Sequence, residues 1–283
     1  MKATGAFSGV SFADYQRAQG VSWSTLSHMR TSPLDYRENV LNPKPATATM
    51  FLGSAIHCAA LEPELFESTY AVFGGRRGTN AYTEWQAEHP GMTDLKPSEY
   101  EQCMGATEAL YRGIQGKHAR RLLRVCRKEV SLRWVDPWTR IRCKARPDLV
   151  GPGVLADLKT TGSVDASKFG RLAGDLGYPG KMAFALMGME ALGIKPADVY
   201  IVAVEQTPPH DVGVFRMDDS DLERARAEVE RLLRLLKECR RARRWPGRFA
   251  NVEMLDLPPW TFDDGHADID ITDAGSIPSG LLA

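Results

Sequence analysis

The sequence predicts an α/β domain, a mixed central β-sheet flanked by helices with a helical region in front of it. Three observations predict it. Apolar and polar residues alternate at Val130, Leu132 and Trp134 and again at Ile141, Cys143 and Ala145, on either side of Asp136-Pro137, the pattern of a β-hairpin. Three further strand-like runs, residues 154–160, 199–205 and 212–217, are interleaved with helical patterns at 166–172 and 178–192. Residues 219–244 then place Leu222, Val229, Leu232, Leu233 and Leu236 on one face of a long helix that starts at a capping Asp219 or Ser220.

The elements follow in order. Residues 1–21 show no sustained periodicity and are expected to be loosely ordered. Ser22-Trp23-Ser24 opens a short helix through Leu26 and Met29 that ends at Ser32-Pro33. Residues 42–49 read as a linker, and 50–65 as a helix ended or kinked at Pro63. Gly74-Gly75-Arg76-Arg77-Gly78 makes a flexible basic loop, followed by helical patterns at 79–87 and 97–123. After the hairpin, Gly151-Pro152-Gly153 turns the chain into the strand 154–160, where Asp157 and Lys159 interrupt the apolar Val154, Leu155 and Leu158. The expected organisation is a loose N-terminus over 1–21, a single domain over 22–260 with a helical part (22–125) and a sheet core (126–260), and a disordered acidic tail over 261–283.

Composition narrows the function. With 43% hydrophobic and 25% charged residues in 283, the chain is an ordinary globular one and wholesale disorder is excluded. It contains no apolar run of the roughly 18 to 20 residues that span a bilayer, so no membrane partner is expected and a cytoplasmic location is. Five scattered cysteines without a CxxC pair read as reduced structural thiols and give no iron–sulfur cluster. The net charge of zero conceals an asymmetry: residues 112–146 hold twelve Lys/Arg against Glu129 and Asp136, while 249–283 hold seven acidic residues and no Lys or Arg. Such a basic run is either a solvated face or a contact for a polyanion.

The chemistry concentrates around Asp148, in Arg146-Pro147-Asp148, and Asp157, in Asp157-Leu158-Lys159. Both acids are expected near the C-terminal ends of adjacent strands. Strand alternation puts Asp157 and Lys159 on one face and leaves the Leu158 carbonyl free. Two carboxylates and a carbonyl form a hard oxygen site suited to Mg²⁺ or Mn²⁺. An ammonium beside it can orient or deprotonate a water and stabilise charge on phosphorus.

With these motifs in place, the sequence resembles the PD-(D/E)xK nuclease superfamily, and within it the RecE-type exonucleases related to the RecB nuclease domain and lambda exonuclease. The likeness spans about 22–260 and also rests on Ser22-Trp23-Ser24, Ser32-Pro33, Gly53-Ser54-Ala55-Ile56-His57, Leu61-Glu62-Pro63-Glu64, Glu129-Val130-Ser131-Leu132, Lys144-Ala145 and Thr160-Thr161. The resemblance implies a restriction-endonuclease-like core and digestion of one strand of linear duplex DNA from a free end, 5′ to 3′, leaving 3′ overhangs for recombination. It also implies Mg²⁺ with Mn²⁺ as substitute, a homo-oligomer, a single-strand annealing protein as partner, and a bacterial or phage origin.

By the same resemblance, Lys159, Asp148, Asp157 and His57 are catalytic. Asp148, Asp157, the Leu158 carbonyl and His57 hold the metal, with Glu129 a secondary candidate. Arg76, Arg77, Arg146, Tyr178 and Lys181 are candidate DNA contacts; the alternative for Arg76 and Arg77 is a solvated loop. The likeness breaks at one place. The family carries a Gln-xxx-Tyr helix preceded by a tyrosine; Tyr178 matches, but Lys181 and Ala185 stand at the Gln and Tyr positions. That departure keeps two other readings open: a structure-selective or single-strand nuclease, and a DNA-binding protein whose nuclease site has decayed, which the four intact site residues oppose.

Overall fold

A computed structural model of the chain describes residues 4–43, 48–114, 116–195, 198–249 and 251–262. The chain divides into two units, Met1–Arg248 and Phe249–Ala283. In the second unit the described residues hold a 3-10 turn at Pro259–Phe262. The acidic stretch 263–283, expected as a tail, lies outside the described residues.

The first half of the larger unit runs β1 (Gly5–Phe7), α1 (Phe12–Arg17), α2 (Trp23–Leu26), a 3-10 turn (Ser27–Arg30), α3 (Pro33–Leu41), α4 (Ala48–Leu61), α5 (Pro63–Thr69), β2 (Tyr70–Val72), α6 (Asn80–Glu88), β3 (Thr93–Leu95), α7 (Pro97–Tyr111) and α8 (Lys117–Val125). The second half runs β4 (Arg127–Lys128), β5 (Ser131–Val135), β6 (Arg142–Ala145), β7 (Leu149–Gly151), β8 (Val154–Thr161), α9 (Ala166–Asp175), α10 (Tyr178–Ala191), β9 (Asp198–Glu205), β10 (Val212–Arg216) and α11 (Asp219–Ala242).

The N-terminus differs from expectation. Residues 5–7 form a strand antiparallel to β5, Ser11 caps α1 by accepting the Asp14 N–H at 3.0 Å, and the Lys144 ammonium donates to the carbonyls of Tyr15, Gln16 and Ala18. A three-residue strand and a six-residue helix are too short to show a period, which is why the sequence conceals them. Pro33 likewise starts α3 instead of only ending the helix before it: Ser32 accepts the Asp35 N–H at 3.0 Å, and the ring sits in the first turn, where no N–H is needed. The helical stretch expected over 97–123 is two helices, α7 and α8.

The expected hairpin is β5–β6, with Leu132 opposite Ala145 and Trp134 opposite Cys143. It belongs with β1 to a three-stranded sheet, separate from a five-stranded sheet ordered β10-β9-β8-β7-β4. In the latter β8 and β9 are parallel and their neighbours antiparallel, a mixed sheet. The parallel pair requires a long crossover, which α9 and α10 supply.

Alternation along β8 divides the core. Leu155 joins α10, α11 and the three-stranded sheet in one apolar cluster, whereas Ala156 and Leu158 join α4, α7 and α8 in another. Burying a side chain such as Leu158 contributes about 2 kcal/mol. Helix α10 is buried along most of its length because its small residues admit aromatic rings: a Cβ on Gly180 would lie 2.1 Å from the Trp23 ring, and one on Gly188 would lie 2.7 Å from Trp134. Among the described residues no helix is long and apolar enough to cross a membrane.

Candidate active site

The two motif aspartates meet through sheet register. β7 and β8 pair antiparallel with Leu149 opposite Ala156, so the next pair outward sets Asp148 across from Asp157. Their positions differ from the expected strand ends: Asp148 precedes β7, and Asp157 lies inside β8. The Leu158 N–H donates to Asp148 Oδ2 at 2.8 Å and fixes that carboxylate. Both acids are almost fully buried, at 4% and 1% exposed.

His57 reaches this point from α4, with Nε2 3.1 Å from Asp148 Oδ2 and Nδ1 3.6 Å from Glu129 Oε1. Glu129, expected to begin a strand, sits in the short connection between β4 and β5 with a left-handed backbone (φ 54°), a conformation that costs a non-glycine residue about 1 kcal/mol or more. The strained turn is held by the Glu129 N–H donating to the Asp148 carbonyl at 2.9 Å. The other Glu129 oxygen is ion-paired with Arg146.

Asp157 is held by two lysines. Lys159 pairs with its Oδ2 and lies 3.3 Å from the Leu158 carbonyl oxygen, while Lys181, from α10, donates to its Oδ1 at 2.6 Å and lies 3.7 Å from Asp148 Oδ1. The Lys159 ammonium also lies 5.1 Å from the centre of the Tyr178 ring. Ala185, at the other departing position, is buried in the core.

Opposing forces set the protonation of this cluster. Burial disfavours a charged imidazole at His57, but the Asp148 charge and hydrogen bond, with Glu129, outweigh it and raise the His57 pKa. Burial would also raise Asp148, yet Lys181, His57 and Lys159 hold it well below the usual carboxylate range. Glu129 is pushed up by burial and by the Asp148 charge, against His57 and Arg146. Lys159 is pushed down by burial and by the like charge of Lys181, against Asp157 and Asp148. Burial works the same way on Lys181, but Asp148 and Asp157 keep its proton on.

The candidate DNA contacts part company. Arg146 points inward: its side chain is 5% exposed, ion-paired with Glu129 and with Glu62 at 3.4 Å, and donates to the Val10 carbonyl at 2.7 Å. That geometry makes it the support of Glu129 and leaves no guanidinium face for a phosphate. Lys181 is likewise directed at carboxylates. Arg77 pairs with Asp94 at 2.6 Å, and Arg76 is exposed in the same loop before α6. Tyr82 and Trp85 stack on each other beside Phe73, Trp134 packs on Phe184, and Trp138 is exposed.

Two contributors had no assigned role in the sequence. Glu62, the partner of Arg146, follows α4 five residues after His57, inside a motif that was visible without its purpose. Tyr15 lies in the field of Lys181, Arg146 and Glu129, with its hydroxyl pushed up to about 12 by burial; nothing in the local pattern signalled it.

A divalent ion fits the residues present. One atom each from His57, Glu129 and Asp148 lies within 4.8 Å of the others, and Glu129 Oε1 is buried without a hydrogen-bond partner among the described residues. An imidazole nitrogen with two carboxylate oxygens suits Mg²⁺ or, better, Mn²⁺. A ligating imidazole must be neutral, so ion binding is expected to release a proton and to weaken as pH falls through the raised His57 pKa. Calorimetric Mn²⁺ titration at pH 7 in buffers of different ionisation enthalpy reads the proton; a buffer-independent heat would remove His57 from the ligand set.

The family described as a PDDEXK-like domain of unknown function (DUF3799) matches residues 22–258. No curated protein sequence matches the chain. Among solved structures, a provisionally named exonuclease from Eubacterium rectale is similar over 90% of this chain and 98% of its own, with a TM-score of 0.60 and 16% identity, a likeness of fold. A phage-related exonuclease from Haemophilus somnus 129PT is 12% identical over 81% of this chain and 99% of its own, with a TM-score of 0.34. LHK-Exo, solved with dAMP, is 15% identical over 67% of this chain and 92% of its own, with a TM-score of 0.27.

Proposed function

Because the chain belongs to the family of PDDEXK-like domains of unknown function, we propose that it is a divalent-metal-dependent DNA exonuclease that hydrolyses one strand of linear duplex DNA from a free end. The observation that carries this reading is the convergence of Asp148, Asp157, Lys159, His57 and Glu129 from strand β8, the segment entering β7, a helix and a strained turn onto one buried point. Structural packing does not require such a cluster, because isolated buried charges are costly.

A divalent ion bound by His57, Glu129 and Asp148 supplies neutralisation of phosphate charge and a more acidic water. The protein's own groups do the rest. The Leu158 N–H and His57 fix Asp148, and Arg146 fixes Glu129, so the ligand atoms are oriented before any ion arrives. Lys159, an ammonium paired with Asp157, orients the attacking water and stabilises the negative charge that builds on phosphorus. Tyr178 limits the space around that ammonium.

Polarity 5′ to 3′, Mg²⁺ as the working ion, 3′ overhangs used in recombination, a homo-oligomer and a single-strand annealing partner belong to the same reading and rest on the resemblance. The test is linear duplex DNA labelled at one 5′ or one 3′ end, incubated with Mg²⁺ or EDTA. Early release of the 5′ label with Mg²⁺ alone is expected. Cleavage confined to flaps or single strands would establish the structure-selective reading, which the altered Lys181 and Ala185 favour. Tight DNA binding without cleavage would overturn nuclease activity.

A further inference from the structure

We propose that the Lys181 ammonium is a built-in counter-ion between Asp157 and Asp148, and that this chain therefore binds one divalent ion, on the His57 and Glu129 side of Asp148. The inference deepens the metal-dependent reading above and rests on it.

Asp148 and Asp157 face each other, nearly excluded from water, and a facing carboxylate pair needs a cation between its members. Here the chain supplies it. Lys181 Nζ lies 2.6 Å from Asp157 Oδ1 and 3.7 Å from Asp148 Oδ1, and Lys159 holds Asp157 Oδ2. Both oxygens of Asp157 therefore meet ammonium groups, and neither is left to ligate an ion. Asp148 is used from two sides. Its Oδ1 faces Lys181, while its Oδ2 accepts the Leu158 N–H and faces His57, beside the Glu129 oxygen that has no hydrogen-bond partner among the described residues.

The lysine's origin is fixed, because Gly180 lies beneath the Trp23 ring and Met182 is buried on the following position. The backbone that carries Lys181 is therefore held in place, and the ammonium rests on the two carboxylates. An ammonium also differs chemically from the ion it replaces: it carries one charge and three donors, and it has no coordination position to offer a water or a phosphate. The Asp148–Asp157 position is thus electrically filled and chemically closed. The carboxylate pair is neutralised by the fold itself, so its burial does not depend on an ion and the protein is expected to remain folded in EDTA.

The test counts Mn²⁺ ions bound to the full chain, reading free Mn²⁺ by electron paramagnetic resonance, for the wild type, Lys181→Gln and Lys181→Arg. One ion on the wild type, one on Lys181→Arg and two on Lys181→Gln are expected. Between Mn²⁺ and EDTA, Lys181→Gln should also lose more Tm than the wild type, which gives up only the stabilisation of its single ion. Two ions on the wild type would overturn the proposal, and that count stands even if the Gln variant does not fold. A single ion on folded Lys181→Gln would overturn it too. No ion on any of the proteins would instead sink the metal-dependent reading on which the proposal rests.

Discussion

Lys159→Ala is expected to lower metal-dependent release of end label by about 100- to 1,000-fold while the protein stays folded, the usual consequence of deleting one oriented group that acts on charge in the transition state. The fold survives because Asp157 keeps a partner: Lys181 still donates to its other oxygen at 2.6 Å. Leu158 still packs against α4, and its N–H still holds Asp148. A conserved melting profile and Mn²⁺ count beside lost activity would therefore isolate the ammonium's chemical role. Full activity would remove Lys159 from the mechanism. Lys159→Arg separates charge from geometry, since a guanidinium keeps the charge but spreads it over a wider planar fork.

The parts of the fold that were legible in the sequence are those whose side chains obey one period over a long enough run. The β5–β6 hairpin alternates because one of its faces is buried, and α11 shows a stripe because one side packs on α10 while the other stays in water. Asp157 and Lys159 stood out for the reverse reason, as charges inside an otherwise apolar strand. The pairing of Asp148 with Asp157 was half legible. The tight Gly151-Pro152-Gly153 turn forces the strands together, but the register, and so the place of each acid along its strand, came only with β7.

Direction was the hidden variable. Arg146 lies in a basic run and reads as a phosphate contact, yet it turns inward because Glu129, Glu62 and the Val10 carbonyl, remote from it in sequence, converge there. Lys181 reads as a substitution for glutamine on a helix. Its role depends on the crossover that lays α10 against β8, which no local pattern encodes. The N-terminal segment was invisible because its anchors, β5 and Lys144, lie more than 100 residues away.

Arg146→Ala is expected to destabilise the protein by about 3–5 kcal/mol in chemical denaturation, the loss typical of removing one partner from a buried ion pair. The guanidinium is 5% exposed and neutralises Glu129, which is itself buried in a left-handed turn; it also reaches Glu62 and Val10 and lies 5.8 Å from the Phe12 ring. Without it Glu129 faces the Asp148 charge with only His57 for relief. The pH dependence follows from the sign of that shift. Burial and the Asp148 charge already raise the Glu129 pKa above its unfolded value, and losing Arg146 raises it further. A carboxyl whose folded pKa is raised binds its proton better in the native state, so the deficit should shrink as pH falls below that pKa and be largest above it. Arg146→Lys, which keeps the charge but loses the fork that spans Glu129, Glu62 and a carbonyl, should fall between the two. Mn²⁺ should return part of the loss in Arg146→Ala, because an ion on Glu129 supplies the missing positive charge. A deficit below about 1 kcal/mol at pH 8 would mean that Glu129 can turn to solvent, and that its strained backbone, not Arg146, sets its position.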